Sequence, residues 1–248
     1  MDNVLVSRAD GVCELRFNRP EKRNAITTAM YDALWDALVQ AEADESVRVV
    51  LLSGAGASFT AGNDLVDFMN QSGGQDDNGP VRFLRLLPKI RKVLVAAVHG
   101  PTVGIGFTML LHCDLVLAAR STRLSMPFVK LGLVPEAASS LLLPRLIGHQ
   151  RAAELLFLGT AIDASTAFNL GLVNRVVEDD KLLEEARALA RALVQQPAEA
   201  LRATKQLLRN ETGTVTGRLE EELRIFQERL SSMEFKNAAG AFLNKGRQ

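Results

Sequence analysis

From Val93 to Cys113 the chain carries no Asp, Glu, Lys or Arg, and so long an uncharged run belongs in a membrane or in a protein core. A membrane span needs about 20 consecutive apolar residues in one helix. Here Gly100 and Pro101 cut the run, a Gly-rich stretch follows, and His99 and His112 punctuate it, so one unbroken helix is excluded. The pattern predicts a buried strand at Val93–Val98, a turn, a buried helix over Val103–Leu111 and a further strand at Leu115–Ala118. That order is the signature of an α/β core, and no membrane association is expected.

The same unit occurs upstream. Val12, Leu15 and Phe17 sit in a segment of period-two alternation, Val47 to Leu52 is nearly all β-branched or Leu, and Met30, Leu34, Ala37, Leu38 and Ala41 recur between them at helical spacing. With Thr27 or Thr28 as N-cap, this reads as a βαβ crossover and hence a largely parallel sheet. Beyond about residue 135 strands are expected only at Leu172–Val177. Leu182, Ala186, Leu189, Ala190 and Leu193 form one helical stripe, and Ala200, Leu201, Thr204, Leu207 and Leu208 form another after Pro197. The division expected is an α/β core over 1–190 and a helical region over 191–248, packed on the core or on a neighbouring subunit. Gln71 to Gly79, rich in Gly, Ser, Asp and Asn, reads as a surface loop placed to serve as a lid.

Composition narrows the function classes. The 248 residues are 47% hydrophobic and 23% charged, which suits a soluble globular protein. With 29 basic and 29 acidic residues, one Trp and one Tyr, the chain has neither the field nor the stacking platform of a nucleic-acid binder. Cys13 and Cys113 have no paired spacing, so no metal site is expected, and two buried free thiols fit a cytoplasmic protein.

Three loops that follow strands carry candidate chemistry. Asn18 to Thr27 presents Arg19, Lys22 and Arg23 at a strand end, which suits an anionic ligand. Gly54 to Leu65 is rich in small residues, which let a ligand approach the backbone; Asp64 is also placed to cap the next helix. Gly100 to Phe107 is another glycine-rich turn, lacking the third glycine of a dinucleotide fingerprint. Two such turns aimed at one point would supply two backbone N–H donors, the requirement of an oxyanion hole.

In this order and spacing the loops resemble the enoyl-CoA hydratase/isomerase (crotonase) superfamily. The match runs from Val4 to about Lys245 and includes Asn18-Arg19-Pro20 with Asn24-Ala25, Ala61 to Leu65, Gly104 to Gly106, Cys113-Asp114, Leu131 to Pro135, Leu142 to Gly148, and Gly171-Leu172-Val173. The resemblance implies a spiral of ββα turns with a helical C-terminal region that assembles a homotrimer or homohexamer. It also implies an acyl-CoA substrate, with coenzyme A part of the thioester and no permanently bound cofactor. By the same similarity Arg23, Ala25, Ala61, Gly62, Asp64 and Leu65 would hold the CoA moiety. Phe242 and Lys245 would reach a neighbouring subunit's CoA, and the amides of Asn63 and Ile105 would form the oxyanion hole.

Hydratases of the superfamily use two glutamates; their positions fall here on Thr108 and Phe128, which cannot activate water. Glu136, after Pro135, instead resembles the single catalytic acid of the Δ3,Δ2-enoyl-CoA isomerases. One carboxylate suffices to move a proton from C2 to C4 of a thioester through an enolate. Phe107, Phe128 and Leu141 are expected to form an apolar wall that raises the Glu136 pKa. Phe68, Met69, Phe83, Leu84 and Leu87 are candidates for the border of an acyl tunnel. The activity implied is double-bond isomerisation, with hydration through Glu136 alone and non-catalytic acyl-CoA binding as alternatives. His99 and His112 have no acidic partner nearby in sequence and read as structural.

Overall fold

The computed structural model describes residues 2–70, 78–209 and 212–245. Strands β1 (Val4–Ala9) and β2 (Val12–Phe17) form a hairpin, and α1 (Thr28–Ala43) returns the chain to β3 (Val49–Gly54). Helices α2 (Leu65–Asn70) and α3 (Gly79–Leu86) precede β4 (Val93–Val98); β5 (Pro101–Val103), α4 (Ile105–Thr108), β6 (Leu115–Ala119) and β7 (Arg123–Ser125) follow. Then come α5 (Ser139–Ile147), α6 (His149–Leu158), β8 (Ile162–Asp163), α7 (Ala164–Asn169) and β9 (Arg175–Val177). Helices α8 (Leu182–Val194), α9 (Ala198–Leu208), α10 (Thr212–Leu230) and α11 (Met233–Lys245) complete the chain. No helix among the described residues is long and apolar enough to cross a membrane.

The main sheet has the order β1-β2-β3-β4-β6-β9, parallel except for the β1–β2 hairpin. That hairpin turns on Asp10 and Gly11, both with positive φ (50° and 77°), the pair a two-residue turn between twisted strands demands. The βαβ crossover stands as the pattern indicated: Thr27 caps α1, its hydroxyl accepting from the Met30 N–H at 3.3 Å, and β2 and β3 pair in parallel. Both faces of the sheet are covered, so β3 and β4 are buried at every position, and strand parity sorts their side chains. Val50, Leu52, Leu94 and Ala96 join the large core with α1, whereas Val49, Leu51, Val93, Val95 and Ala97 meet Leu182, Ala186 and Ala190 of α8.

A second, smaller sheet, β5-β7-β8, lies at the downstream ends of the main strands. Parallel bridges Thr60↔Thr102 and Ile26↔Asn63 extend its line, so each turn of the chain adds a rung to both layers. The α/β spiral with a helical C-terminal region is therefore observed.

Two expectations are corrected. The helix expected over Val103–Leu111 is broken up: Val103 closes β5, Gly104 takes φ +56°, α4 spans one turn, and Met109–His112 continues as a 3-10 helix. The stripe expected on α9 is covered only in part among the described residues, Leu201 packing on the second core cluster. Leu207 and Leu208 stand 75% and 81% exposed, and the buried residue of that helix is Lys205, held by Asp114 at 2.6 Å. Cys13 is buried and Cys113 only partly so, both as free thiols.

Candidate active site

Asn24 joins the first two loops. It adopts φ +55°, which Asn tolerates better than most residues. Its buried side-chain amide donates to the carbonyls of Ala55 (2.8 Å), Ser58 (2.8 Å) and Phe59 (3.2 Å), while its Oδ1 accepts from the Arg19 N–H (2.8 Å). The second and third loops are stitched in turn: the Val103 N–H donates to the Thr60 carbonyl at 3.0 Å. A Cβ on Gly62, whose φ is +88°, would lie 2.8 Å from the Val103 carbonyl oxygen, so only glycine permits this approach. Gly104 carries the second left-handed residue, which lets Ile105 enter α4 with ordinary dihedrals. Neither the Asn63 nor the Ile105 amide takes an internal acceptor among the described residues. Two adjacent turns thus each offer one N–H.

Beside them opens a cavity of about 560 Å³ whose lining includes Tyr31 (α1), Asn63, Phe68 and Met69 (α2), Leu84 (α3), Glu136, Leu223 and Phe226 (α10) and Phe235 (α11). Among the described residues Glu136 is the one carboxylate in that lining. It is 4% exposed, and its Oε1 has no hydrogen-bond partner among the described residues. Burial, with the nearby Glu222 charge adding to it, pushes its carboxyl up to about 8, because a lone anion in an apolar setting loses its hydration. The Tyr31 hydroxyl donates to Asn63 Oδ1 at 2.5 Å. Burial, then the Glu136 charge, holds the phenol well above its usual range, so it keeps its proton.

Glu136 and Asn63 line this cavity together, and Ile105, 1% exposed, sits on the adjoining turn outside the lining. Of the residues proposed for CoA, Arg23 is exposed and Ala25, Ala61 and Leu65 are partly buried, all on the joined loops, with the Arg23 carbonyl accepting from the Ala61 N–H at 2.9 Å. The Asp64 carboxylate is engaged: Oδ1 caps α2 through the N–H groups of Val66 and Asp67, and Oδ2 pairs with Arg19 at 2.6 Å. Phe242 lies 61% exposed on α11 away from the cavity, and the Lys245 side chain is outside the described residues. Residues 71–77 of the candidate lid are also outside them; Asn78, which follows, caps α3 and lines the cavity.

The apolar wall differs from expectation. Phe107, Phe128 and Leu141 do not line the cavity; Phe128 packs edge-on against Phe226, which does. Of the acyl-tunnel candidates, Phe68, Met69 and Leu84 line the cavity, whereas Phe83 packs on Tyr31 and Leu87 is buried in the core. Sequence reading missed Tyr31, hidden within the apolar stripe of α1, and Glu222, which sits in the acidic run Glu220-Glu221-Glu222 that resembles a solvated helix face.

A layered spiral whose loops present two amides without an internal acceptor among the described residues, with one buried carboxyl in the adjoining cavity, is an arrangement that can stabilise negative charge developing on a bound carbonyl. The family model described as enoyl-CoA hydratase/isomerase matches residues 7–248, and the chain belongs to that family as an acyl-CoA enzyme. It is 37% identical to the 1,2-epoxyphenylacetyl-CoA isomerase of Escherichia coli, over 99% of this chain and 97% of that one. It is 34% identical to rat enoyl-CoA delta isomerase 2, over 98% of this chain and 63% of the relative. The solved structure of Pseudomonas aeruginosa OdaA superposes with a TM-score of 0.95 at 44% identity, covering 98% of this chain and 99% of that one. Relatives named as hydratases match as well, among them the 2,3-dehydroadipyl-CoA hydratase of Escherichia coli at 32% identity.

Proposed function

We propose that the protein is an enoyl-CoA isomerase that shifts a double bond from the 3 to the 2 position, with Glu136 as the only proton shuttle. The supporting observation is that, among the described residues, Glu136 is the sole carboxylate lining the cavity; by the family resemblance, the two positions that carry glutamate in the hydratases hold Thr108 and Phe128. In this reading the thioester carbonyl accepts from the amides of Asn63 and Ile105. Glu136 takes a proton from C2, the enolate charge rests on the oxygen between the two amides, and the same carboxyl returns the proton at C4. Two of the relatives reported above are named isomerases, which supports this reading, while others are named hydratases.

The CoA moiety is proposed to follow Arg23, Ala25, Ala61, Gly62, Asp64 and Leu65, completed by Phe242 and Lys245 of a neighbouring copy. A trimer or hexamer is part of this proposal, supported by the exposed Leu207 and Leu208.

Absorbance and product mass are followed for 3-enoyl-CoA and 2-enoyl-CoA with wild type and Glu136→Gln. Conversion of the 3-enoyl ester without a mass change, lost in the variant, is expected. Because the base must be ionised, kcat/KM should rise with pH through about 8. A gain of one water on the 2-enoyl ester would replace this reading with hydration, and binding without turnover of either ester would leave an acyl-CoA-binding protein.

A further inference from the structure

Glu136 opens a turn in an unusual backbone state. Ala137 and Ala138, the next two residues, both have positive φ (59° and 55°). L-residues other than Gly and Asn seldom enter that region, and two in succession persist only where the surroundings impose it. Two side chains from other elements bond to the turn here. His112, at the end of the 3-10 helix, lies with Nε2 2.7 Å from the Ala137 carbonyl oxygen; since a carbonyl can only accept, Nε2 carries the hydrogen. Glu222 of α10 accepts the Ser140 N–H at 2.9 Å on Oε1, and the Ala138 amide adds to the same carboxylate.

Helix α10 also carries Leu223, Phe226 and Leu230, which wall the cavity facing Glu136. A glutamine at 222 would accept the same amides without burying a charge. The chain instead keeps a carboxyl that is 5% exposed, with Oε2 unpartnered among the described residues, beside the buried carboxyl of Glu136. A plain helix cap does not require that cost.

We propose that Glu222 is a positioning residue: through the amides of the left-handed turn it fixes where Glu136 enters the cavity and ties that position to the α10 wall. The inference rests on the reading of Glu136 as proton shuttle. Burial pushes the Glu222 carboxyl up to about 7, countered by its hydrogen bonds and by Arg218. The groups that face the Glu136 turn are Tyr31 from α1, His112 from the 3-10 helix, and Glu222 and Arg218 from α10. Of these, His112 stays neutral, since burial lowers its pKa to about 4.

The test measures kcat and KM between pH 6 and 9.5 for Glu222→Ala and Glu222→Gln. It also follows the Glu136 carboxyl titration by difference infrared spectroscopy against Glu136→Gln in each background. Glu222→Ala should lower kcat about 10- to 100-fold with KM little changed, the size of effect a misplaced catalytic group produces. Glu222→Gln, which keeps the acceptor and removes the charge, should restore kcat to within about threefold of wild type and move the Glu136 titration to lower pH. An Ala variant with wild-type kcat, or one altered only in KM, overturns the proposal. If the Ala variant does not fold, a Gln variant unchanged in both pH profile and infrared titration overturns it. Should Glu136→Gln itself remain active, the shuttle reading falls. The infrared titration then still decides on Glu222, a shift in Glu222→Gln supporting its hold on Glu136 and no shift refuting it.

Discussion

Asn24 shows how much one side chain can settle. Its amide group satisfies three carbonyls from a loop 31 to 35 positions downstream, and no solvent reaches it to replace them. Asn24→Ala should cost about 3 kcal/mol, because buried carbonyls left unpaired lose their hydrogen bonds outright. Urea denaturation measures the loss, and an unchanged midpoint would refute the role. Asn24 was visible in the sequence as part of a motif, though not what it bonds. Tyr31 and Glu222 were not visible as site residues: one reads as a core tyrosine, the other as a helix-surface charge, and both readings follow correctly from local spacing.

Among the elements, those with a strong period were legible. Helix α1, the βαβ crossover and β4 follow from apolar spacing and caps, and the cap on α1 is testable. Thr27→Ala removes the acceptor of the Met30 N–H and should lower stability by about 1 kcal/mol, read as a shifted unfolding midpoint with KM for the ester unchanged. Short elements escaped. Strands β5 and β7 have three residues each and β8 has two, too few for alternation to register. Hairpin strand β1 escaped as well: only Val4 of its six residues is buried, so its apolar pattern is faint. Helix α9 misled because an apolar stripe records a face to be covered without saying by what, and among the described residues Leu201 is packed while Leu207 and Leu208 stay open.

At the scale of the molecule, buried titratable groups set how stability depends on pH. Glu136 and Glu222 have folded-state values of about 8 and about 7 against an ordinary 4.5, so between those limits the folded chain holds protons that the unfolded chain has released. Their contribution is complete below about pH 4.5 and is lost as pH rises through 7 to 8. His112 acts in the opposite sense: lowered from 6.5 to about 4, it favours the folded state above pH 6.5 and ceases to as pH falls towards 4. Denaturant midpoints should therefore drop between pH 6.5 and 8.5, and Glu136→Gln should flatten that drop. A wild-type midpoint constant over this range would contradict the burial of the two carboxyls.

Period-two and period-3.6 apolar spacing with glycine-rich turns after strands were enough to determine the layered α/β class, and the resemblance carried by the loop motifs implied the family and Glu136 as the candidate base, because each depends on residues close in sequence. The cavity wall, the Tyr31–Asn63 contact and the hold of Glu222 and His112 on the Glu136 turn arose only in the tertiary structure. They join residues from α1, the 3-10 helix, α5 and α10, which periodicity assigns to faces but cannot pair: a face says that a side chain is buried, and only packing says against which other it lies.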